Sequence, residues 1–383
     1  MTPASLNIFA SRLNAVCDEM GLVLRNAAFS PNIRDRLDFS CAVFDANGDL
    51  CAQAAHIPVH LGSMAFAMRD IIGGMTWAPG DQVVLNDPFL GGTHLPDVTL
   101  IAPFFADGEL LGFVANRAHH ADIGAGSPGS MPVSATLDEE GLVIAPTHLV
   151  RDDRVVEAVH SDIVTKTRNL TESAGDFAAQ IAANRAGVAR VSKLVADDGG
   201  SQFVAGVSAL NAYAERLAQR ALAAIPVGVY RFADLLDDDG QGNSAIPIVV
   251  SLQVSDGRVT VDFSGTAAQV AGNVNCPLAV AAAAVYYAFR CLMPAQTPAC
   301  AGAFRPLQLQ APDGCLVNAR KPAAVAAGNV ETSTRIVDAV LGALAKALPD
   351  VVPAASHGSM NNVALGSSLR GDSWDYYETI GGG

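Results

Sequence analysis

Phe9, Leu13, Val16, Met20 and Val23 recur every three or four residues, which predicts an amphipathic helix at the start of the chain. Ser30-Pro31-Asn32 should end it, because proline cannot continue a helix. The period then drops to two. Residues 38–44 alternate, Asp45-Ala46-Asn47-Gly48 turns, and 49–53 return as a hairpin. A short helix follows around 63–72, with Gly73-Gly74 as its stop. Runs 81–85, 98–105 and 110–118 read as buried strands, the last two joined by Ala106-Asp107-Gly108-Glu109. Ala-rich 3.6-residue periods predict helices over 173–195 and 204–224. A second hairpin spans 246–263 with its turn at 255–257, and helices are expected over about 277–293 and 332–348.

These elements describe an α+β chain, with hairpin-built antiparallel sheets and a helical middle region. Polar, Pro-containing residues 125–155 and the Ile225-Pro226 step mark boundaries. They divide the chain into an N-terminal α/β region (1–150), a helical region (151–225) and a C-terminal α+β region (226–383). The last nine residues run from an aromatic strand, Asp375-Tyr376-Tyr377, into Gly381-Gly382-Gly383. Such a sequence normally leads into a loop, so a chain truncated at its C-terminus is expected.

Half of the 383 residues are hydrophobic and 16% are charged, enough apolar material for a sizeable core and little for disorder. The net charge of −14 and the lack of a basic run argue against nucleic-acid binding. The longest apolar stretch, Leu278 to Phe289, is too short to span a bilayer. No basic and apolar leader opens the chain. The seven scattered cysteines, without a C-x-x-C pair, predict reduced thiols in the cytoplasm and no thiolate zinc site.

Five of the eight histidines lie between positions 56 and 120. The sharpest constellation is His94-x-x-Asp97, in a Gly/Pro-rich loop, followed by His119-His120-Ala121-Asp122. The two strands between them are hairpin neighbours, so their outer ends near 97 and 119 come back together. Two imidazoles and a carboxylate suit a divalent ion of the Mn, Fe or Zn type with positions left open for water or substrate. The alternative is that these groups cap the loop through hydrogen bonds. His56 and His60 sit four apart; the plainer reading is a buried loop whose histidines satisfy backbone carbonyls, the other a pair lining a cleft.

Other motifs carry less. Gly124-x-Gly126-x-x-Gly129 has the dinucleotide spacing, but it contains Pro128 and an extended run follows where a helix is needed. The chain has no P-loop, no G-x-S-x-G elbow and no Cys beside a His. Asn169-Leu170-Thr171 is a sequon without a secretory context. Glu331 and Arg335 are expected to form a surface i,i+4 pair. The run Ser356 to Asn362 is either a substrate-facing loop or a satisfied turn network.

Several long motifs resemble the hydantoinase B/oxoprolinase family. They include Phe29-Ser30-Pro31-Asn32-Ile33, His56-Ile57-Pro58-Val59-His60-Leu61-Gly62-Ser63-Met64, Gly91-Gly92-Thr93-His94-Leu95-Pro96-Asp97, Asn116-Arg117-Ala118-His119-His120-Ala121-Asp122, Gly328-Asn329-Val330-Glu331-Thr332-Ser333 and the terminal Tyr377 to Gly383. The likeness runs in order along nearly the whole chain. Ala125 and His357 are small departures, standing where Gly and Gln are usual.

The resemblance implies a B subunit of an ATP-dependent cyclic amidohydrolase, opening 5-oxoproline or an N-substituted hydantoin. ATP would be handled by a hydantoinase A-type partner in a hetero-oligomer, in keeping with the missing P-loop. In the family's carboxylase branch this subunit holds a metal through two His and one Asp, and the matching positions are His94, Asp97 and His119. His120 or Asp122 would then act as general base. Two other functions stay open: the metal-containing subunit of an acetone-type ketone carboxylase, and a non-catalytic scaffold.

Overall fold

The computed structural model describes all residues except 56, 58, 128, 130, 370, 371 and 381–383. Helix α1 (Pro3–Ala27) starts at Thr2, whose hydroxyl accepts from the Ser5 N–H, and buries the stripe Phe9, Leu13, Val16 and Met20. The chain leaves it at Ala28. Pro31 then opens a separate short helix, α2 (Pro31–Arg34), because its fixed φ suits a first helical turn.

Strands β1 (Phe39–Asp45) and β2 (Leu50–Ala55) form the first hairpin, with the Asp45 carboxylate accepting from the Asn47 and Asp49 N–H groups. Helix α3 (His60–Gly73) begins three residues earlier than its apolar period implies, so His60 lies in its first turn, and Gly74 caps its end. Strands β3 (Gln82–Leu85), β4 (Asp97–Ala106) and β5 (Glu109–His119) follow, the β4–β5 turn using positive φ at Asp107 and Gly108. The polar stretch beyond holds β6 (Thr147–Arg151), β7 (Arg154–Val155) and α4 (Glu157–Val164), which the apolar pattern does not show. These strands make a seven-stranded antiparallel sheet in the order β2-β1-β5-β4-β3-β6-β7.

Helix α5 (Leu170–Asp198) is capped by Asn169, whose side chain accepts from the Glu172 N–H; that is the structural role of the sequon asparagine. Helix α6 (Gly200–Leu222) follows across Gly199. The second hairpin gains a strand that periodicity misses: β8 (Gly228–Asp238) pairs along β9 (Ser244–Ser255), which pairs with β10 (Arg258–Asp262). Half-buried and exposed residues alternate along β8, but Val229 and Leu235 stand on the exposed face and Asp234 on the other, so its sequence carries no clean apolar alternation. Helices α7 (Leu278–Arg290) and α8 (Ala301–Phe304) precede β11 (Leu307–Gln310), which joins β10 in parallel. Helix α9 (Glu331–Ala345) and the hairpin β12 (Asn361–Leu369) and β13 (Asp372–Ile380) complete the described elements.

One continuous apolar core joins α1, α3, α6, α7 and α9 to the two larger sheets. A smaller one, built on Val98, Leu100, Ile123, Leu149 and Phe177, lies where α5 crosses the seven-stranded sheet. No helix among the described residues is long and apolar enough to cross a membrane.

Candidate metal centre

Asp97 opens β4 and His119 closes β5, and the register makes them direct partners across the ladder. Side chains opposite one another in an antiparallel pair share a face. That face also carries Thr99 and Arg117, and Ser40 of β1, and it looks onto α3. His94 reaches it from the loop before β4, and His60 from the first turn of α3.

Three imidazoles converge on one carboxylate. Asp97 Oδ1 lies 3.2 Å from His94 Nε2 and 3.3 Å from His119 Nδ1. Asp97 Oδ2 lies 3.3 Å from His60 Nε2 and accepts from the Thr93 hydroxyl at 2.5 Å. His60 Nδ1 is 3.1 Å from Ser40 Oγ. One ligand atom from each of His94, Asp97 and His119 fits within 4.8 Å of the others, and all three residues are buried.

The donor set fits a divalent cation. His94 Nδ1 faces the Ala326 carbonyl at 3.3 Å, and a carbonyl only accepts, so Nδ1 carries the ring proton. In the neutral ring Nε2 is then a lone pair, buried without a hydrogen-bond donor and aimed at a carboxylate oxygen. Two acceptors this close repel unless a cation, proton or metal, joins them. The electrostatics of the pair point the same way. Burial alone would push the His94 imidazole down, yet the Asp97 carboxylate holds it above its usual value. Burial would raise Asp97, but the charges of His94 and His60 and the hydrogen bonds from His119 and His60 hold it well below the usual carboxylate range.

The loop ends are tied down. Asn86 donates to the Leu95 and Leu142 carbonyls and accepts from the Ile144 N–H. Glu140 Oε1 accepts from the Val325 and Ala326 N–H groups and the Ser134 hydroxyl, which fixes the carbonyl that orients His94. Burial pushes the Glu140 carboxyl up.

The cluster opens on a cavity of about 550 Å³. Asp38, Arg36 and Val330 line it, as do Asn329 and Ser333 from the segment leading into α9. Met360 and the β13 residues Glu378 and Thr379 close another side, with Glu378 3.3 Å from the Arg36 guanidinium. Motifs that stand hundreds of residues apart in the sequence thus surround one space.

The structure keeps His120 and Asp122 from this group. Consecutive strand residues point to opposite faces, so His120 looks toward α5, with Nε2 2.9 Å from Gln180 Oε1 and its ring against Phe177. Burial lowers its pKa. Asp122 accepts from the Gly124 and Arg168 N–H groups and so pins a loop. His60 departs from the plainer expectation, since its ring bonds Ser40 and Asp97 instead of backbone carbonyls; His56 lies outside the described residues. Among the described residues no α-helix follows Gly124 and Gly126 before residue 157, whereas dinucleotide binding would need one there; Pro128 is outside the described residues.

The expected Glu331–Arg335 pair is also corrected. Glu331 accepts from the Ser359 hydroxyl and the Met360 N–H, while Arg335 pairs with Asp234 at 3.1 Å. The run from Ser356 is therefore an anchored network, and it also presents Met360 to the cavity. Sequence reasoning passed over Asp38, Thr93, Arg117 and Glu140. Only their burial marks them, and the local sequence does not show it.

A family model described as Hydantoinase B/oxoprolinase matches residues 2–383. 5-Oxoprolinase 1 of Arabidopsis thaliana is 36% identical over 99% of this chain, which spans 31% of that protein. The ATP-dependent caprolactamase from Pseudomonas jessenii matches 98% of this chain with a TM-score of 0.86 and 26% identity, over 66% of its own chain. A nucleotide-free acetone carboxylase structure matches with a TM-score of 0.87 at 19% identity, over 98% of this chain and 53% of that one, and so shares the fold.

Proposed function

The chain belongs to the hydantoinase B/oxoprolinase family, and from that we propose that it is the metal-bearing, ring-opening subunit of an ATP-dependent cyclic amidohydrolase. Its substrate class would be a small cyclic amide such as 5-oxoproline or an N-substituted hydantoin. The carrying observation is the convergence of His94, Asp97 and His119 at a cavity of the size such a ring needs. The caprolactamase and the 5-oxoprolinase, named for cyclic amides, support it.

An unstrained lactam is resonance-stabilised, so hydrolysis is coupled to ATP. The chain has no P-loop, and the proposal leaves phosphorylation of the amide oxygen to an A-type partner in a cytoplasmic hetero-oligomer. His94, Asp97 and His119 would hold a Mn, Zn or Fe ion. Such an ion supplies Lewis acidity toward a carbonyl or phosphoryl oxygen and lowers the pKa of water. His60 and Thr93 hold the far carboxylate oxygen and keep Asp97 in place. Asn329 lines the cavity with its Oδ1 lacking a hydrogen-bond partner, an acceptor for a ring N–H. Asp38, which also lines the cavity 3.8 Å from His119, is better placed to take a proton from water than His120 or Asp122.

The test combines the full-length protein with its A-type partner and follows ADP release. Stimulation by 5-oxoproline or N-methylhydantoin is the expected result. Stimulation by acetone plus bicarbonate alone would move the protein to ketone carboxylation, and silence with every compound would support a scaffold. Retained turnover after His94, Asp97 and His119 are all replaced by Ala would end the metal assignment.

A further inference from the structure

We infer that Arg117 is the positioning residue that locks the metal-ligand set together, one side chain bridging each element that supplies His60, His94, Asp97 and His119. This rests on the metal reading above. Arg117 is a fully buried cation, 1% exposed, and each of its three hydrogen bonds among the described residues goes to a neutral oxygen. A buried guanidinium without a contacting carboxylate is costly, so its position calls for a reason.

The partners supply it. Arg117 stands on β5 two residues before His119, on the same face. Its Nε donates to Thr99 Oγ1 at 2.8 Å, and Thr99 stands on β4 two residues after Asp97. One terminal nitrogen donates to Ser63 Oγ at 2.6 Å; Ser63 in turn donates to the Val59 carbonyl at 2.9 Å, closing the first turn of α3 around His60. The other terminal nitrogen donates to the Gly91 carbonyl at 2.8 Å, three residues before His94. Only a planar fork with donors in three directions reaches all three oxygens at once. Lysine would keep the charge and lose that geometry.

The experiment measures Mn²⁺ affinity and the Mn²⁺ electron paramagnetic resonance line shape of the full chain, with circular dichroism as the check on folding. Arg117→Lys should bind Mn²⁺ about 10–100-fold more weakly and show an altered line shape even at saturation, which a merely destabilised protein would not. If Arg117→Lys does not fold, Ser63→Ala and Thr99→Val decide, each removing one arm and each expected to weaken binding severalfold. In the Arg117→Lys background, where that variant folds, the same two changes should add little. Wild-type affinity and line shape in Arg117→Lys would overturn the inference alone, as would unchanged binding in both arm variants. A wild-type chain that binds no Mn²⁺, Zn²⁺ or Fe²⁺ would instead remove the metal reading beneath it.

Discussion

Asp97 Oδ1 lies 3.3 Å from His119 Nδ1 because the two residues are ladder partners at the open end of the β4–β5 hairpin. Nine further pairs, the last two beyond a register shift between Phe104 and Phe105, separate them from the tight turn at Asp107-Gly108. The geometry of the candidate centre is thus held by a whole hairpin, and the loop before β4 adds His94 to it.

Asp97→Asn keeps the size of the side chain and removes its charge. Metal affinity should fall at least about 100-fold, since Asp97 supplies the anionic member of the set His94, Asp97 and His119. The melting profile of the metal-free chain should still show one folded species. Elemental analysis after gel filtration measures the first quantity, and stoichiometric metal in the variant would contradict the assignment.

The metal-free chain should be most stable between about pH 4 and about pH 6.5, the reference values of the two groups in an unfolded chain. His94 is raised in the folded state, so its contribution is full below the unfolded value and fades as pH rises through the folded one. Asp97 is depressed, so its contribution is present above the unfolded value and fades as pH falls toward the folded one. Urea midpoints of the chelator-treated protein from pH 3 to pH 9 would show it, and Asp97→Asn should flatten both flanks. Metal binding must run the other way, weakening as pH falls through the raised His94 value because proton and ion compete for Nε2.

Gly92→Ala should disturb the ligand loop without touching a ligand. An added Cβ would press into the Asn86 and Asp87 carbonyl oxygens, 2.8 Å from the latter. Overpacking of this kind costs about 1–3 kcal/mol. The backbone shift it forces lies two residues before His94, so metal affinity should drop as well. Unchanged stability by denaturant titration would show that the loop gives way more easily than its packing implies.

Glu140→Ala removes the acceptor of the Val325 and Ala326 N–H groups and of the Ser134 hydroxyl, all in a buried setting. Each buried donor left without a partner costs about 1–3 kcal/mol. Because the Ala326 carbonyl orients His94, the same variant should bind metal more weakly, whereas Glu140→Gln keeps an acceptor oxygen and should lose much less. Equal metal affinity in the two variants would break the link from Glu140 to His94.

Local physics made the hairpins and long helices readable along the chain. Alternation marks a strand, Asp-Ala-Asn-Gly or Asp-Gly marks its turn, and a 3.6-residue stripe marks a helix such as α1 or α5, since each depends on neighbours within a few residues. The nearness of Asp97 to His119 was legible for that reason, being the closing of one hairpin. The pleat also separates His119 from His120, and that separation followed from the same alternation although the sequence reading kept the two together. What the tertiary structure alone decided lies across long gaps in the chain. His60 meets Asp97 over 37 residues, Asp176 holds the Ser30 N–H over 146, and Glu140 holds Ala326 over 186. No periodicity records such contacts, because they exist only once the core has closed and a buried polar atom must find a partner from whatever element has packed against it.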